Sequence, residues 1–156
     1  MIYIIVAMEK KQIIGNNNQL PWKIKSELKF FKEQTINKNI LMGRKTFESL
    51  PKILPNRHTI VLTRDVNFKV NHENVEVIND IKEVLLKFKN SKEILYICGG
   101  SEIYKLFLPY VDKLIISQIR GNYKGDTYFP TVTWNEFQII DKKIYDEFIV
   151  TIYKRK

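Results

Sequence analysis

Apolar runs of strand length recur along the chain and are separated by segments with helical spacing. Such runs are typical of strands whose two faces are both covered. The runs are Ile2–Met8, Asn39–Met42, His58–Thr63, Val75–Ile78, Glu93–Cys98 and Lys113–Ile119. Because strands that alternate with helices favour parallel pairing, the pattern predicts a mostly parallel central sheet.

Helix signals lie between these runs. Ser26 is a good N-cap, so a helix is predicted from Ser26 to about Thr35. The segment Asp80–Lys89 repeats apolar residues every three or four positions, which predicts an amphipathic helix. Two further helices are predicted, one beginning after Gly43 and one covering Ser101–Leu108.

The last part of the chain carries strands without helices between them. Two strand-like runs, Glu136–Ile140 and Glu147–Tyr153, flank a polar turn, which predicts an antiparallel hairpin at the edge of the sheet. The segments Gln12–Gln19 and Gly121–Pro130 have the composition of surface loops. We therefore predict an α/β fold of three layers, with helices on both faces of a mostly parallel central sheet and a C-terminal antiparallel hairpin.

Composition narrows the class of protein. The 156 residues, 44% of them hydrophobic, fit a single domain over residues 1–156. No apolar run approaches the ~20 residues of a membrane span, and the N-terminus lacks the basic flank of a signal peptide. We therefore expect a soluble, cytoplasmic protein with no membrane partner. Cys98 is the only cysteine and is accompanied only by His58 and His72, so no metal site is expected.

The net charge of +9 favours polyanionic partners. These partners include nucleic acids, and also small molecules with phosphates or polyglutamate tails. The 26 Lys and Arg residues are scattered along the chain, so we interpret most of them as a solvated surface and expect no nucleic-acid partner. A basic nucleic-acid-binding domain stays the alternative from another functional class.

Glu27 lies in the first turn of the predicted Ser26 helix, and Phe30, Phe31 and Gln34 share its face. Such an acid can simply favour the positive end of the helix while the rings pack into the core. Alternatively, a carboxyl group at the mouth of an apolar pocket has a raised pKa and pairs with a heterocycle rich in N–H donors. Both interpretations are open at this point.

Two junctions between a strand and a helix contain glycine. Gly43 precedes Arg44 and Lys45, a pattern that suits a phosphate at a helix N-terminus but, taken alone, favours a plain connection with solvated basic residues. Gly99 and Gly100 would let a ligand approach the backbone, or would simply form a tight turn. Neither a Walker A loop nor the G-x-G-x-x-G fingerprint is present.

Six motifs, taken together and in order, resemble the dihydrofolate reductases of the bacterial, short-chain type over the whole chain. They are Gly15 with Leu20-Pro21-Trp22, Glu27 with Phe31, Met42-Gly43-Arg44-Lys45-Thr46-Phe47-Glu48-Ser49, Leu54-Pro55-Asn56-Arg57, Gly99-Gly100 with Ile103-Tyr104, and Gly125-Asp126-Thr127-Tyr128-Phe129-Pro130. The resemblance implies reduction of 7,8-dihydrofolate to 5,6,7,8-tetrahydrofolate by hydride transfer from NADPH, which supplies one-carbon and thymidylate metabolism. It also implies a monomer, a substrate whose tail can carry several glutamates, and inhibition by antifolates.

The resemblance further implies a substrate site. Glu27 would bind the pterin through its two carboxylate oxygens and promote its protonation. Arg57 would bind the α-carboxylate of the glutamate tail. Trp22 and Leu20 would join Glu27 as catalytic residues, in a lid that closes over the nicotinamide. The other implied substrate contacts are Ile5, Ala7, Leu28, Phe31, Leu50, Leu54, Cys98 and Ser117.

A cofactor site is implied in the same way. Cations near the ribose phosphate would select NADPH over NADH, and a glycine pair that carries a cis peptide in the family would let the backbone touch the cofactor. The implied cofactor contacts are Ala7, Ile14, Gly15, Asn18, Gly43, Arg44, Lys45, Thr46, Leu62, Thr63, Arg64, Cys98, Gly99, Gly100, Ser101, Glu102, Ile103 and Tyr104.

Several positions depart from the family pattern. Many bacterial members have Asp where this chain has Glu27, so the extra methylene must be absorbed by a shifted helix or ligand. The segment Leu50-Pro51-Lys52-Ile53 replaces a commoner glycine-and-proline pattern on the approach to Arg57. Glu102 stands where some members place an arginine, so Arg64 would carry more of the phosphate binding. The nearest rival is a reductase of the same fold that acts on a riboflavin precursor, a substrate that has neither a pterin edge nor a glutamate tail.

Overall fold

Ten strands and four α-helices make up the computed structural model, which describes residues 1–156. The strands are β1 (Ile2–Glu9), β2 (Ile13–Gly15), β3 (Asn39–Gly43), β4 (His58–Leu62), β5 (Val75–Ile78), β6 (Leu95–Ile97), β7 (Lys113–Ile119), β8 (Thr127–Tyr128), β9 (Phe137–Ile144) and β10 (Phe148–Arg155). The helices are α1 (Lys25–Thr35), α2 (Arg44–Ser49), α3 (Ile81–Phe88) and α4 (Ser101–Phe107), and short 3-10 turns cover Leu108–Tyr110 and Trp134–Glu136.

Eight of the strands form one sheet in the order β5-β4-β3-β6-β1-β7-β10-β9. Neighbours from β5 to β7 pair in parallel, whereas β10 runs antiparallel to both β7 and β9. The predicted mostly parallel sheet with a C-terminal antiparallel hairpin is therefore confirmed. Because parallel strands end at the same edge, the carboxyl ends of β1, β3, β4 and β6 lie together there.

Apolar side chains cover both faces of this sheet. Along β1, Ile2, Ile4 and Val6 are buried in one cluster, whereas Tyr3 and Ile5 are buried in a second. This alternation follows from the period of two residues in a strand. Helices α3 and α4 contribute buried residues to the first cluster, and α1 contributes to the second. The predicted three layers follow.

The start of α1 differs from the prediction. The helix begins at Lys25, its N-cap is Ile24, and no side chain caps it, so the predicted capping role of Ser26 is wrong. The backbone N–H of Leu28 donates to the carbonyl oxygen of Ile24 at 3.2 Å. Ile24 is only 4% exposed. Burying an isoleucine stabilises by about 1.5–3 kcal/mol, more than the ~1 kcal/mol of a typical cap, so packing fixes the first turn.

The two predicted surface loops contain a small second sheet. Strand β2 lies within the predicted loop Gln12–Gln19, and it pairs antiparallel with β8, which lies within the predicted loop Gly121–Pro130. At Gly125 a Cβ atom would lie 2.5 Å from the carbonyl oxygen of Gly15. Only glycine allows the two segments to approach this closely. Strands of three and two residues are too short to leave a hydrophobic pattern.

Most other boundaries agree with the predictions to within a few residues. Strands β5 and β7 have the predicted bounds, whereas β9 extends to Ile144 and β6 covers only Leu95–Ile97. The predicted helix at Asp80–Lys89 is confirmed as α3, where Asp80 is the N-cap and its carboxylate accepts from the backbone N–H of Lys82. None of the helices combines the length and the apolar character needed to cross a membrane.

Candidate active site

Glu27 is a buried carboxylic acid in the first turn of α1, and only 6% of it is exposed. Burial raises the pKa of Glu27 from its ordinary value of 4.5 to about 7, and the Ser117 hydroxyl opposes this shift in part. Ser117 is itself buried on β7, where it pairs with Ala7 of β1. Near neutral pH, Glu27 therefore exists in both its neutral and its ionised form.

Apolar side chains pack on the same face of the sheet as the helix that carries this acid. Ile5, Trp22 and Phe30 are buried in the same cluster on this face of the sheet. Five of the predicted substrate contacts pack partly buried against that cluster: Ala7, Phe31, Leu50, Leu54 and Cys98. We refer to these residues with Glu27, Ser117 and Arg57 as the Glu27 site. Leu28, predicted as a wall residue, and Leu20, predicted as a lid residue, are instead exposed, by 53% and 47%.

Trp22, in the same cluster, carries a buried N–H donor. The ring is only 3% exposed, and its Nε1 atom has no hydrogen-bond partner in the protein. Tyr123 holds the indole edge-to-face, with 5.4 Å between the ring centroids. A buried N–H group without a partner costs stability. A water molecule or a ligand that accepts from Nε1 would recover that loss.

The segment from Gly15 to Leu20 is tied to the small sheet. The backbone N–H of Asn17 donates to Asp126 Oδ2 at 3.1 Å, and that of Asp126 donates to the carbonyl oxygen of Gly15 at 3.1 Å. Asn17 and Asn18 have positive φ angles of 51° and 62°, which asparagine tolerates better than most residues. Sequence reasoning quoted Asp126 as part of a motif and gave it no contact with this segment.

Arg57 is a buried cation without a carboxylate partner. It is 5% exposed, its Nε donates to the Pro55 carbonyl at 3.0 Å, and its Nη1 donates to the Thr35 hydroxyl at 3.2 Å. Burial lowers the pKa of the guanidinium. Two of its five N–H groups are used, which leaves three for an anion. Thr35, at the end of α1, was missed because its role depends on contact with a residue far along the chain.

The glycine pair closes the gap between two strand ends. The backbone N–H of Gly43, at the end of β3, donates to the carbonyl oxygen of Gly99 at 2.9 Å. Gly99 has a φ angle of +113°, and the Gly99-Gly100 peptide is cis. The Tyr104 hydroxyl donates to the Ile5 carbonyl at 2.9 Å and thereby connects α4 to β1. The residues flanking the glycine pair thus lie beside the Glu27 site.

The predicted phosphate-binding residues lie along the exposed end of β3 and β4. Arg44 stands at the start of α2, where its Nη1 contacts Asp65 Oδ2 at 2.9 Å and its Nε contacts Glu48 Oε1 at 3.2 Å. Its guanidinium also lies 4.4 Å from the centroid of the Phe68 ring. We call this surface, formed by Arg44, Lys45, Glu48, Arg64, Asp65, Phe68 and Glu102, the Arg44 edge.

Two cations at the Arg44 edge have no acidic partner. Lys45 and Arg64 are exposed, and neither forms an ion pair. Glu102 is also exposed and unpaired. Sequence reasoning predicted the cations and Glu102, but gave no role to Asp65 or Phe68. The remaining predicted contacts of this region, Thr46, Leu62, Thr63, Ser101 and Ile103, lie at the same strand ends and helix starts.

Several known proteins similar to this chain belong to one family. The family model described as dihydrofolate reductase matches residues 1–152. The dihydrofolate reductase of Staphylococcus haemolyticus is 40% identical over 148 residues, which is 94% of this chain and 87% of that protein. The enzyme of Mycoplasma genitalium is 40% identical over 159 residues, covering 100% and 99% of the two chains. A solved structure titled dihydrofolate reductase from Enterococcus faecalis complexed with NADP(H) and RAB-propyl has a TM-score of 0.91 and 32% identity, covering 100% and 96% of the chains.

Proposed function

Because this chain belongs to the dihydrofolate reductase family, we propose that it reduces 7,8-dihydrofolate to 5,6,7,8-tetrahydrofolate with NADPH and that Glu27 anchors and helps to protonate the pterin. The family predicted from the six motifs is thus confirmed. The observation that carries the role of Glu27 is its buried carboxyl group, whose pKa is raised to about 7. An acid with this pKa is matched to proton transfer near neutral pH.

Glu27 does two things in this proposal. Its two oxygens, presented from the first turn of α1, accept the neighbouring amino and ring N–H groups of the pterin. In its neutral form it supplies a proton to the ring through a water molecule. Ser117, next to the carboxyl group, favours the ionised form and so keeps the pKa from rising further. A Glu27 pKa near 7 suits both tasks, because the neutral and the ionised form are both present near neutral pH.

Arg57 binds the α-carboxylate of the substrate's glutamate tail. Three of its N–H groups are free, and a planar fork of donors matches a carboxylate. Burial of an unpaired cation is costly, so the arriving carboxylate relieves a penalty that already exists in the free protein. The Thr35 hydroxyl and the Pro55 carbonyl hold the guanidinium in place before the substrate binds.

The exposed strand ends fit a phosphorylated dinucleotide. Arg44 keeps three N–H groups free, and Lys45 and Arg64 have no acidic partner, so several donors are available to phosphates. The bare backbone at Gly99 and Gly100 admits a ligand that a side chain would block. NADPH supplies a hydride when bound. Arg44, Lys45 and Arg64 would hold its phosphates, and the apolar wall of the Glu27 site would shield the reacting rings from water.

The assay that tests this function follows NADPH absorbance after dihydrofolate is added to the purified protein. We expect oxidation that depends on dihydrofolate and shows saturation. The riboflavin precursor accepted by reductases of the same fold serves as the matched control substrate, and we expect no oxidation with it because it lacks the pterin edge and the glutamate tail. Folded protein that oxidises NADPH with the precursor, or with neither substrate, would overturn the proposal.

Two finer predictions concern the state of the enzyme. We propose that it works as a cytoplasmic monomer and that its substrate can carry several glutamates. The exposed cations of the chain support the second point, since additional glutamates add negative charge. Sedimentation of the purified protein tests whether it is a monomer. Comparison of the KM values for dihydrofolate with one and with several glutamates tests the second point.

A further inference from the structure

Arg44 is held on three sides in the free protein. Asp65 contacts its Nη1 at 2.9 Å, Glu48 contacts its Nε at 3.2 Å, and Phe68 lies 4.4 Å from its guanidinium carbon. Two carboxylates therefore already share a cation that the proposed function assigns to a phosphate. Any phosphate that binds Arg44 must do so beside these two negative charges.

Charges at the Arg44 edge are balanced. Its three cations, Arg44, Lys45 and Arg64, are matched by three carboxylates, those of Glu48, Asp65 and Glu102. Because these six charges sum to zero, they add little to the long-range attraction that the net charge of +9 exerts on a phosphorylated ligand. Preference for a phosphate at this edge must then come from direct contacts with particular N–H groups.

Asp65 is the more firmly placed of the two acids. Its Oδ1 accepts from the backbone N–H of Asn67 at 2.9 Å, and its own N–H donates to the Thr63 hydroxyl at 3.2 Å. Asn79 also donates to its carbonyl oxygen at 3.3 Å. Glu48 has a longer side chain and only the contact with Arg44. Asp65 thus presents Oδ2 to the forked end of Arg44, where a phosphate would also bind.

We propose that Asp65 is a specificity-determining residue that competes with the ribose phosphate of the cofactor for Arg44 and so limits the preference for NADPH over NADH. This inference rests on the proposed function, because it takes NADPH as the ligand of the Arg44 edge. The competition acts only on the phosphorylated cofactor, since NADH has no phosphate at this position.

The test is the Asp65→Asn variant. Asparagine keeps the Oδ1 acceptor for Asn67, so the local turn is retained, and it removes the negative charge that contacts Arg44. We expect the Kd for NADPH to fall roughly three- to fivefold, the range that exposed ion pairs allow. The Kd for NADH should change less than twofold. Both constants are measured by quenching of tryptophan fluorescence, at low and at high salt.

A matched control loses the same charge elsewhere. Asp146→Asn lies in the turn between β9 and β10, where Asp146 is exposed and forms no ion pair. It should change neither Kd. If Asp65→Asn leaves the NADPH Kd unchanged or weakens binding, the inference is wrong. Equal tightening of NADPH and NADH would show a general field effect and would also overturn it.

The two proposals fail in different ways. The Kd values are measured without dihydrofolate and need no turnover, whereas the proposed function stands or falls with substrate-dependent oxidation by the unaltered chain. A competition assay with adenosine 2′-monophosphate and adenosine 5′-monophosphate isolates the Arg44 edge further. In the Asp65→Asn variant only the 2′-phosphate should bind more tightly, again by roughly three- to fivefold.

Discussion

The Glu27 site and the Arg44 edge handle charge in opposite ways. At the Glu27 site, Glu27 and Arg57 are buried without an opposite charge as partner, and burial shifts the pKa of both groups. At the Arg44 edge, cations and carboxylates are exposed, and Arg44 pairs with two acids. The Glu27 site therefore contains buried charged groups without a partner, whereas at the Arg44 edge the charge of Arg44 is already balanced by carboxylates.

This difference assigns different tasks to the two regions. Electrostatic interactions are strong where water is excluded, so single groups at the Glu27 site should control turnover and substrate recognition. Interactions between exposed charges are weak and screened by salt, so groups at the Arg44 edge should adjust affinity by small factors. Mutations in the two regions should therefore differ in size as well as in kind.

The largest effect is expected from Glu27→Gln. Glutamine has nearly the same shape and cannot take up and release the proton, so turnover at neutral pH should fall at least about 100-fold. The Kd for NADPH should stay within about twofold of the unaltered chain, because the proposed function assigns Glu27 to the substrate and not to the cofactor. Steady-state kinetics and a fluorescence titration measure the two quantities. Equal loss of both would mean that Glu27 has only a structural role.

Arg57→Ala should have the next largest effect. Hydrogen bonds to a charged group contribute about 1.5–3 kcal/mol, so the KM for dihydrofolate should rise about 30-fold. The KM for a pterin without the glutamate should change little, and this substrate is the internal control for folding and chemistry. Arg57→Lys keeps the charge and loses the planar fork, so an intermediate KM is expected. An equal rise for both substrates would contradict the tail contact.

The pH dependence of stability gives a third contrast between the regions. The folded-state pKa of Glu27, about 7, lies above its ordinary value of 4.5. The folded state therefore binds more protons between these values, and the stabilisation from neutral Glu27, present below pH ~4.5, is lost as the pH rises through ~7. Glutamine does not titrate, so the Glu27→Gln variant should not lose this stabilisation. The free energy of unfolding of the variant minus that of the unaltered chain should therefore be about 3 kcal/mol larger at pH 8 than at pH 4.5.

Urea unfolding of the ligand-free proteins at several pH values measures this difference. The matched control is Asp65→Asn at the Arg44 edge, where Asp65 is exposed and its ion pair with Arg44 contributes little to stability. That variant should show nearly the same pH profile as the unaltered chain. A Glu27→Gln profile parallel to that of the unaltered chain would show that Glu27 is not held in its neutral form.

The sequence predicted the elements and residues whose signals are local. Apolar runs identified β1, β5 and β7, and a first-turn acid beside phenylalanines identified Glu27 as a candidate. Three features depend on contacts between segments that are distant in the chain, so local sequence patterns could not predict them. They are the pairing of β2 with β8, the burial of Ile24 at the start of α1, and the Asp65 carboxylate on Arg44, 21 residues away in the chain. The family resemblance implied that Arg44 binds a phosphate, and it gave no indication of the two carboxylates that contact Arg44.

The smallest effect is expected at the Arg44 edge itself. Replacing both Arg44 and Arg64 with glutamine should lower the ratio of NADPH to NADH affinity about three- to tenfold. Arg64→Gln alone should lower this affinity ratio at least as much as Arg44→Gln alone. Arg64 has no acidic partner, whereas Arg44 already pairs with two carboxylates. The losses should shrink as salt is added.

Arg120→Gln is the control for these variants, since Arg120 is an exposed arginine without an ion pair in the segment after β7. Fluorescence titrations with both cofactors give the affinities. If the double variant keeps its preference for NADPH, the phosphate binds elsewhere. If Arg44→Gln alone removes the preference for NADPH over NADH, Asp65 and Glu48 orient Arg44 for the phosphate and do not compete with it. The contrast between the buried, unpaired charges of the Glu27 site and the paired charges of the Arg44 edge would then no longer hold.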